Sequence, residues 1–320
     1  MSKVKIGIIG SRFQADCIAH SVRMMPEEGE VVAVASPSAD HARAFADRHG
    51  LAAAYTDYRE MLRDPAIEMV SITAPNRLHA QMTIDAARAG KHVVCEKPLC
   101  VTLEEADAML EACQQAGVLL MYAEELFFAP KYVKAKQMAD EGAFGRVHLV
   151  KQSEKHNGPH SDWFWDVNQS GGGALMDLGC HGIAFCWWFL GKPKVKSVYA
   201  QLSTQVHGQR TVGDDEALTI IEFDNGATGV VENSWTKPGG MDDTIEIFGS
   251  IAVGALVALA IRLWVRHVRR GLVLFILAVC VVAAEVGSRL HLDPLLINLA
   301  AGLILQNVLR VSGEEIAHAL

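Results

Sequence analysis

The chain has 320 residues, half of them hydrophobic and 21% charged, with a net charge of −8. That length holds two ordinary domains with cores, the composition excludes a disordered chain, and the acidic balance excludes a nucleic-acid surface. Seven cysteines (Cys17, Cys95, Cys100, Cys113, Cys180, Cys186 and Cys280) form no CxxC pair, so no metal site is expected and the thiols read as reduced, in a cytosol.

Residues 3–9 are a short apolar run ending at Gly10, the pattern of a buried parallel strand, and no secretory leader is read there. A helix is predicted over 13–25, a strand over 31–35, and a helix over 39–49 closed by Gly50. The alternation continues with strand 69–73, helix 78–89, strand 93–95, helix 104–116 and strand 118–122. Strand and helix alternating in this way predict a doubly wound parallel sheet of the Rossmann kind over 1–122. Beyond it, a helix over 132–141 and a strand over 147–154 precede a polar, aromatic stretch. Gly171-Gly172-Gly173 is read as opening a helix that runs to residue 190. Runs at 195–204, 217–223, 228–235 and 244–248 alternate as antiparallel strands, with Asp224-Asn225-Gly226 as a hairpin turn. Residues 123–249 are thus an α+β domain with an open sheet.

The loop after the first strand is Gly10-Ser11-Arg12-Phe13-Gln14-Ala15. A dinucleotide turn wants glycine first, glycine second so the backbone can approach the pyrophosphate, and a small third residue where helix meets strand. Gly10 and Ala15 fill the first and third places; Arg12 takes the second and adds a cation beside helical N–H groups that bind phosphate. A strand–turn–helix without a ligand has the same local pattern. The second strand ends at Ser36, where a carboxylate would hold the ribose hydroxyl and repel a 2′-phosphate, so NAD and NADP both stay open.

Two motifs carry a resemblance. Ile72-Thr73-Ala74-Pro75-Asn76-Arg77-Leu78-His79 is followed by Gly90-Lys91-His92-Val93-Val94-Cys95-Glu96-Lys97-Pro98-Leu99. Later comes Gly172-Gly173-Ala174-Leu175-Met176-Asp177-Leu178-Gly179-Cys180-His181. Over residues 3–249 the chain resembles the Gfo/Idh/MocA oxidoreductases, the relatives of glucose–fructose oxidoreductase and inositol dehydrogenase. The resemblance implies hydride transfer between NAD or NADP and a sugar or polyol carbinol, which needs a proton acceptor for the hydroxyl and a nicotinamide facing the carbon. Lys97, at the carboxyl edge of the sheet, is implied to hold the substrate oxygen and the nicotinamide ribose, beside a peptide to Pro98 that is commonly cis in the family.

His181 is implied as the proton carrier. Asp177, four residues earlier on one helical face, is expected to orient it or hold substrate hydroxyls. Taken singly, Lys97 reads as a solvated loop charge and His181 as a satisfied helix histidine. Gly10, Ser11, Arg12, Phe13 and Ser36 are expected to bind the cofactor. Pro75, Asn76, His79, Glu96 and Lys97 are expected on the same pocket, with Asn76 and His79 on its nicotinamide side. Trp163 and Trp165 are read as walls of the substrate site or as aromatic core. His156 and His160 are too isolated for metal ligands, and Lys151 and Lys155 read as a solvated strand face.

Near residue 250 the composition changes. Residues 250–320 hold six arginines against four acidic residues, and no lysine follows Lys237. Apolar stretches at 247–261, 271–284 and 294–309 show no strand alternation, and the tail predicts an apolar helical segment. Its phrase His291-Leu292-Asp293-Pro294-Leu295-Leu296-Ile297-Asn298-Leu299-Ala300-Ala301-Gly302-Leu303-Ile304-Leu305-Gln306-Asn307 resembles part of a cation–proton antiporter membrane domain. The runs are shorter than the ~20 residues a spanning helix prefers. The sequence therefore reads as a junction of two unrelated pieces near 249–251, the second sheet being cut short there. A cytoplasmic enzyme, membrane association through 250–320, and homo-oligomers through the open sheet are the expectations. A cofactor-binding chain without turnover and a membrane protein acting through its tail are the rival readings.

Overall fold

The structure, a computed structural model, describes residues 3–250. Its first sheet is built from β1 (Val4–Ile9), β2 (Gly29–Ala35), β3 (Ala53–Tyr55), β4 (Met69–Ile72), β5 (His92–Glu96) and β6 (Leu120–Ala123). The strands lie in the order β3-β2-β1-β4-β5-β6, all parallel. The order reverses between β1 and β4, which opens a crevice at their carboxyl ends. Helices α1 (Phe13–Arg23), α2 (Ala39–His49), α3 (Tyr58–Leu62), α4 (His79–Arg88) and α5 (Leu103–Ala116) connect the strands.

Local chemistry sets the helix limits. Ser38 caps α2 by accepting from His41 N, and Thr102 caps α5 by accepting from Glu105 N, whose own carboxylate reaches back to Val101 N. Gly50 and Gly117 end these helices in the left-handed region, at φ +69° and +68°. Both faces of the sheet are covered. One core holds Ile9, Val70, Ile72, Met82 and Met109, and the other Ile8, Ala15, Val34 and Phe45. The sequence reading omitted β3 and α3, which are too short to show a period.

The second sheet contains β7 (Val147–Lys155), β8 (Val195–Ser203), β9 (Glu216–Phe223), β10 (Thr228–Ser234) and β11 (Asp242–Gly249), in the order β11-β7-β10-β9-β8. The expected all-antiparallel arrangement is corrected, because β10 pairs with β7 in parallel, Val230 beside Lys151. The cause is the crossover between β7 and β8. It carries α7 (Val167–Ser170) and α8 (Cys180–Phe189) and sets β8 down in the direction of β7; two hairpins then return β10 parallel. Together with α6 (Pro130–Asp140), α8 covers one face around Tyr132, Val150, Phe185, Ile221 and Val231.

Glycines 171–173 lead into a helical segment, as expected: Asp177 N donates to the Gly173 carbonyl at 3.1 Å, and residues 174–189 are helical. Gly171 closes α7 at φ +80°, and Gly173 packs so tightly on Asp214 that an added Cβ would meet its carbonyl oxygen at 1.9 Å. A π-helical turn, Leu175–Gly179, precedes α8. Ile247 and Phe248, read as the start of an apolar run, belong to β11 and pair with β7. The antiporter-like phrase, the other apolar stretches and the far side of the expected junction lie outside the described residues. Among the described residues, no helix is long and apolar enough to cross a membrane.

Candidate active site

A cavity of about 840 Å³ runs from the β1/β4 crevice to the π turn and the end of β7. At its first end the chain turns at Gly10, whose φ is +124° and where a Cβ would sit 2.2 Å from Thr73 Oγ1, so only glycine fits. Arg12 stands at the N-cap of α1 and its side chain caps nothing, which leaves the first-turn N–H groups facing the cavity. Ser11 donates to Ser36 Oγ at 3.0 Å, tying the loop to the end of β2. Gln14 donates to Glu96 Oε1 at 2.7 Å; burial raises the Glu96 carboxyl above its ordinary range, and the Gln14 bond opposes this. Phe13 is exposed and stacks on His160. An open channel, a turn only glycine can make and uncapped helical amides fit a dinucleotide pyrophosphate.

Pro75 and Asn76 line the middle of the cavity, and Asn76 Nδ2 donates to the Ser170 carbonyl at 2.8 Å. His79 is corrected. It is fully buried outside the cavity, with Nδ1 against Pro98 O and Nε2 against Ala74 O, each at 2.8 Å. Its place as the first residue of α4 turns the ring inward, so it ties two cavity loops together from beneath. The Lys97–Pro98 peptide is cis.

At the other end Lys97 Nζ donates to Asp177 Oδ1 at 2.9 Å and to the Asp177 carbonyl at 2.8 Å, and Trp235 Nε1 donates to Asp177 Oδ2 at 3.1 Å. Burial pushes the Asp177 carboxyl up most strongly, but the Lys97 charge and hydrogen bond overcome it and hold the group below its ordinary value. For Lys97 burial works downward and Asp177 outweighs it, so the ammonium is raised above the usual lysine range and stays charged.

The expectation that Asp177 orients His181 is corrected as well. His181 Nδ1 donates to Glu124 Oε1 at 2.7 Å, while both Asp177 oxygens are taken by Lys97 and Trp235. Both residues line the cavity, but the Asp177 carboxylate turns to Lys97 and Trp235 while the His181 ring turns to Glu124. Burial opposes the charged form of His181; the Glu124 bond and charge prevail over it and raise the ring above its ordinary value.

Trp163 lies in the cavity wall, stacked on Phe164 at 3.8 Å. Trp165 does not. It packs edge-on against buried Trp235 and lies under Arg210, so it is core.

Several residues of the site escaped the sequence reading. Glu124 is one. Glu154 is another: it lines the cavity, and burial pushes its carboxyl up to about 7. The signal for it lay in β7, where the inward positions Gln152 and Glu154, and then His156, turn polar after Val150. A third, Asp214, accepts from Gly173 N at 3.1 Å and Leu175 N at 2.7 Å and holds the glycine run in place. Among the described residues, Glu124, Glu125 and His181 bring ligand-type atoms within 4.8 Å of one another, and Glu124 Oε1 and His181 Nδ1 are hydrogen-bonded to each other.

Residues 4–124 match the family model described as "Oxidoreductase family, NAD-binding Rossmann fold", and residues 132–253 match "GFO/IDH/MocA C-terminal domain". The chain belongs to the Gfo/Idh/MocA oxidoreductase family. It is 29% identical to the myo-inositol 2-dehydrogenase of Thermotoga maritima over 249 residues, 77% of this chain and 73% of the relative. It is 33% identical to the levoglucosan dehydrogenase of Pseudarthrobacter phenanthrenivorans, over 78% of this chain and 72% of the relative. The solved structure of GenD2 from gentamicin A biosynthesis in complex with NAD superposes with a TM-score of 0.75 at 30% identity, over 79% of this chain and 71% of that one. The oxidoreductase thus carries its NAD-binding domain first, and the match to the family's C-terminal domain reaches residue 253.

Proposed function

We propose that this oxidoreductase exchanges a hydride between a nicotinamide cofactor and a carbinol carbon of a sugar or polyol, with Lys97, Asp177 and His181 as its catalytic group. The observation that carries the reading is a single cavity holding the Gly10 turn at one end and the Lys97–Asp177 pair with His181 at the other. When bound, the cofactor supplies the hydride acceptor at the carbinol carbon. Gly10, Ser11, Arg12 and Phe13 hold its pyrophosphate side, and Pro75, Asn76 and Glu96 its nicotinamide side. Ser36 offers no carboxylate at the ribose, so the 2′-position does not exclude NADP beside NAD. Charged Lys97 polarises the substrate oxygen, Asp177 keeps Lys97 in place, and His181 takes the hydroxyl proton at Nε2. Trp163 walls the sugar.

The test is the absorbance of reduced nicotinamide with a panel of inositols, anhydrosugars and glucosides, alongside fluorescence titration of both cofactors. Saturable binding and turnover of at least one polyol are expected; no binding of either cofactor at millimolar concentration overturns the reading. For residues 250–320 the sequence supports membrane association. The expected result is that the full chain pellets with membranes and needs detergent, and a soluble chain in a high-speed supernatant overturns it.

A further inference from the structure

We infer that two consecutive glutamates just after β6 bracket the catalytic histidine and divide its proton chemistry, Glu124 as the positioning residue at Nδ1 and Glu125 as the relay from Nε2 to solvent. The inference rests on the dehydrogenase reading above and names residues that neither sequence motif contains.

The geometry is asymmetric in the way this division requires. Glu124 is fully buried, and its Oε1 accepts from His181 Nδ1 at 2.7 Å and from Leu126 N at 3.2 Å. Its Oε2 is buried without a hydrogen-bond partner. A buried carboxylate with one strong donor cannot drift, so it fixes the tautomer with N–H at Nδ1 and the lone pair at Nε2. Glu125, the next residue, points the other way. Its side chain is 62% exposed, it lines the cavity, and its Oε1 lies 3.7 Å from His181 Nε2. That distance is a charge contact rather than a hydrogen bond. Glu124 is the extended residue between β6 and a 3₁₀ turn that begins at Glu125, and this change of direction lets one dipeptide reach both ring nitrogens.

The proton path balances. As the substrate C–H leaves as hydride, the O–H bond breaks, its electron pair forms the carbonyl, and Nε2 takes the proton. The imidazolium then returns that proton to the Glu125 carboxylate, which releases it to water, and neutral His181 is restored with N–H at Nδ1. Lys97 just after β5, Asp177 in the π turn and Glu154 in β7 are further charged or titratable groups near the ring. Of these, Lys97 opposes protonation of His181, while Glu124 and Glu125 favour it.

Two measurements on the full-length protein test the assignment. The first needs no turnover. In ¹⁵N-resolved NMR, wild-type His181 should show N–H at Nδ1, and Glu124→Gln should move its titration to lower pH by roughly one unit or more. If the ring is protonated at Nε2 in the neutral form, or titrates unchanged in Glu124→Gln, the positioning role is overturned even where no substrate has been found. The second uses a polyol that the wild type oxidises. Glu124→Gln should shift the His181 limb of kcat/KM to lower pH, and Glu124→Asp should restore it in part; a merely structural role lowers kcat and leaves the limb in place. Glu125→Gln, at an exposed position, should lose roughly tenfold or more in kcat in weak buffer. Added imidazole should recover that loss, and should not recover Glu124→Gln. Unchanged rates in Glu125→Gln, or a loss that buffer does not rescue, overturn the relay. Failure of the dehydrogenase reading would appear separately, as a wild type that oxidises nothing while its NMR result stands.

Discussion

Lys97 and Asp177 form a buried ion pair, so substituting one of them confounds catalysis with stability. Removing one partner of such a pair leaves an uncompensated charge that costs about 3–5 kcal/mol. Lys97→Ala is therefore expected to lose both turnover and melting temperature. Lys97→Ala with Asp177→Asn should recover part of the stability and none of the turnover, read by thermal denaturation beside kinetics. His181→Ala is expected to cost ~10²–10⁴-fold in kcat with cofactor affinity largely kept, and to lose stability as well because it strands buried Glu124; wild-type rates in that variant would remove His181 from the mechanism. Glu154 makes a separate case, in stability against pH. Its folded-state pKa of about 7 lies above the ordinary 4.5, so between those values the folded protein holds a proton that the unfolded chain has released. Stability from this group is full below about pH 4.5 and is lost as pH rises through about 7, by at most about 3 kcal/mol. Glu154→Gln should remove this loss, gaining in urea midpoint over wild type at pH 8 and not at pH 4.5. An equal difference at both values would mean that the carboxylate is solvated.

The elements that sequence reading located are those with a period. β1, β4 and β5 are apolar because helices cover both sheet faces, and α2 and α5 carry their caps in the sequence, Ser38 with Gly50 and Thr102 with Gly117. The cofactor end of the site was legible for the same reason, since Gly10, Ser11 and Ser36 sit at element ends. The acid–base end was legible as motif residues but not as geometry. The partner of His181 lies 57 residues away, just after β6, and an i, i+4 spacing gives a shared face without giving the partner each side chain takes. The direction of β10 depends on a crossover, which no strand pattern encodes. Asp214 shows the same limit, because its two acceptor bonds reach back about forty residues to the glycine run. Its removal tests whether the turn bearing Asp177 is held from outside. Asp214→Ala strands the N–H groups of Gly173 and Leu175 and is expected to cost about 1–3 kcal/mol. Turnover should fall more than cofactor affinity, because the strap supports only the acid–base end. Loss of cofactor binding and turnover in equal measure would show general unfolding instead.

At the scale of the whole molecule, the second sheet has one face under α6 and α8 and the other uncovered in the described chain. On the uncovered face a single cross-strand row runs Tyr199, Ile220, Val230, Lys151, Glu246 across β8, β9, β10, β7 and β11. The row is apolar at the β8 end, where Tyr199 is 60% exposed, and ionic at the other, where Lys151 lies 3.0 Å from Glu232 and 3.9 Å from Glu246. A solvated sheet face ordinarily carries polar side chains throughout, and exposed ion pairs of this kind contribute only ~0–1 kcal/mol each. The apolar half is thus the part with energy to gain, at about 25 cal/mol per Å² of surface removed from water. A second copy set against it by a two-fold axis would bury Tyr199 and its neighbours on both chains at once. The expected outcome is a dimer or larger assembly by light scattering of the full-length protein. Tyr199→Glu with Ile220→Lys should reduce its mass to that of one chain without changing the cofactor affinity, because both positions lie on the face opposite α8. A wild type that is monomeric at micromolar concentration, or a double variant that keeps the assembly, would place the contact elsewhere.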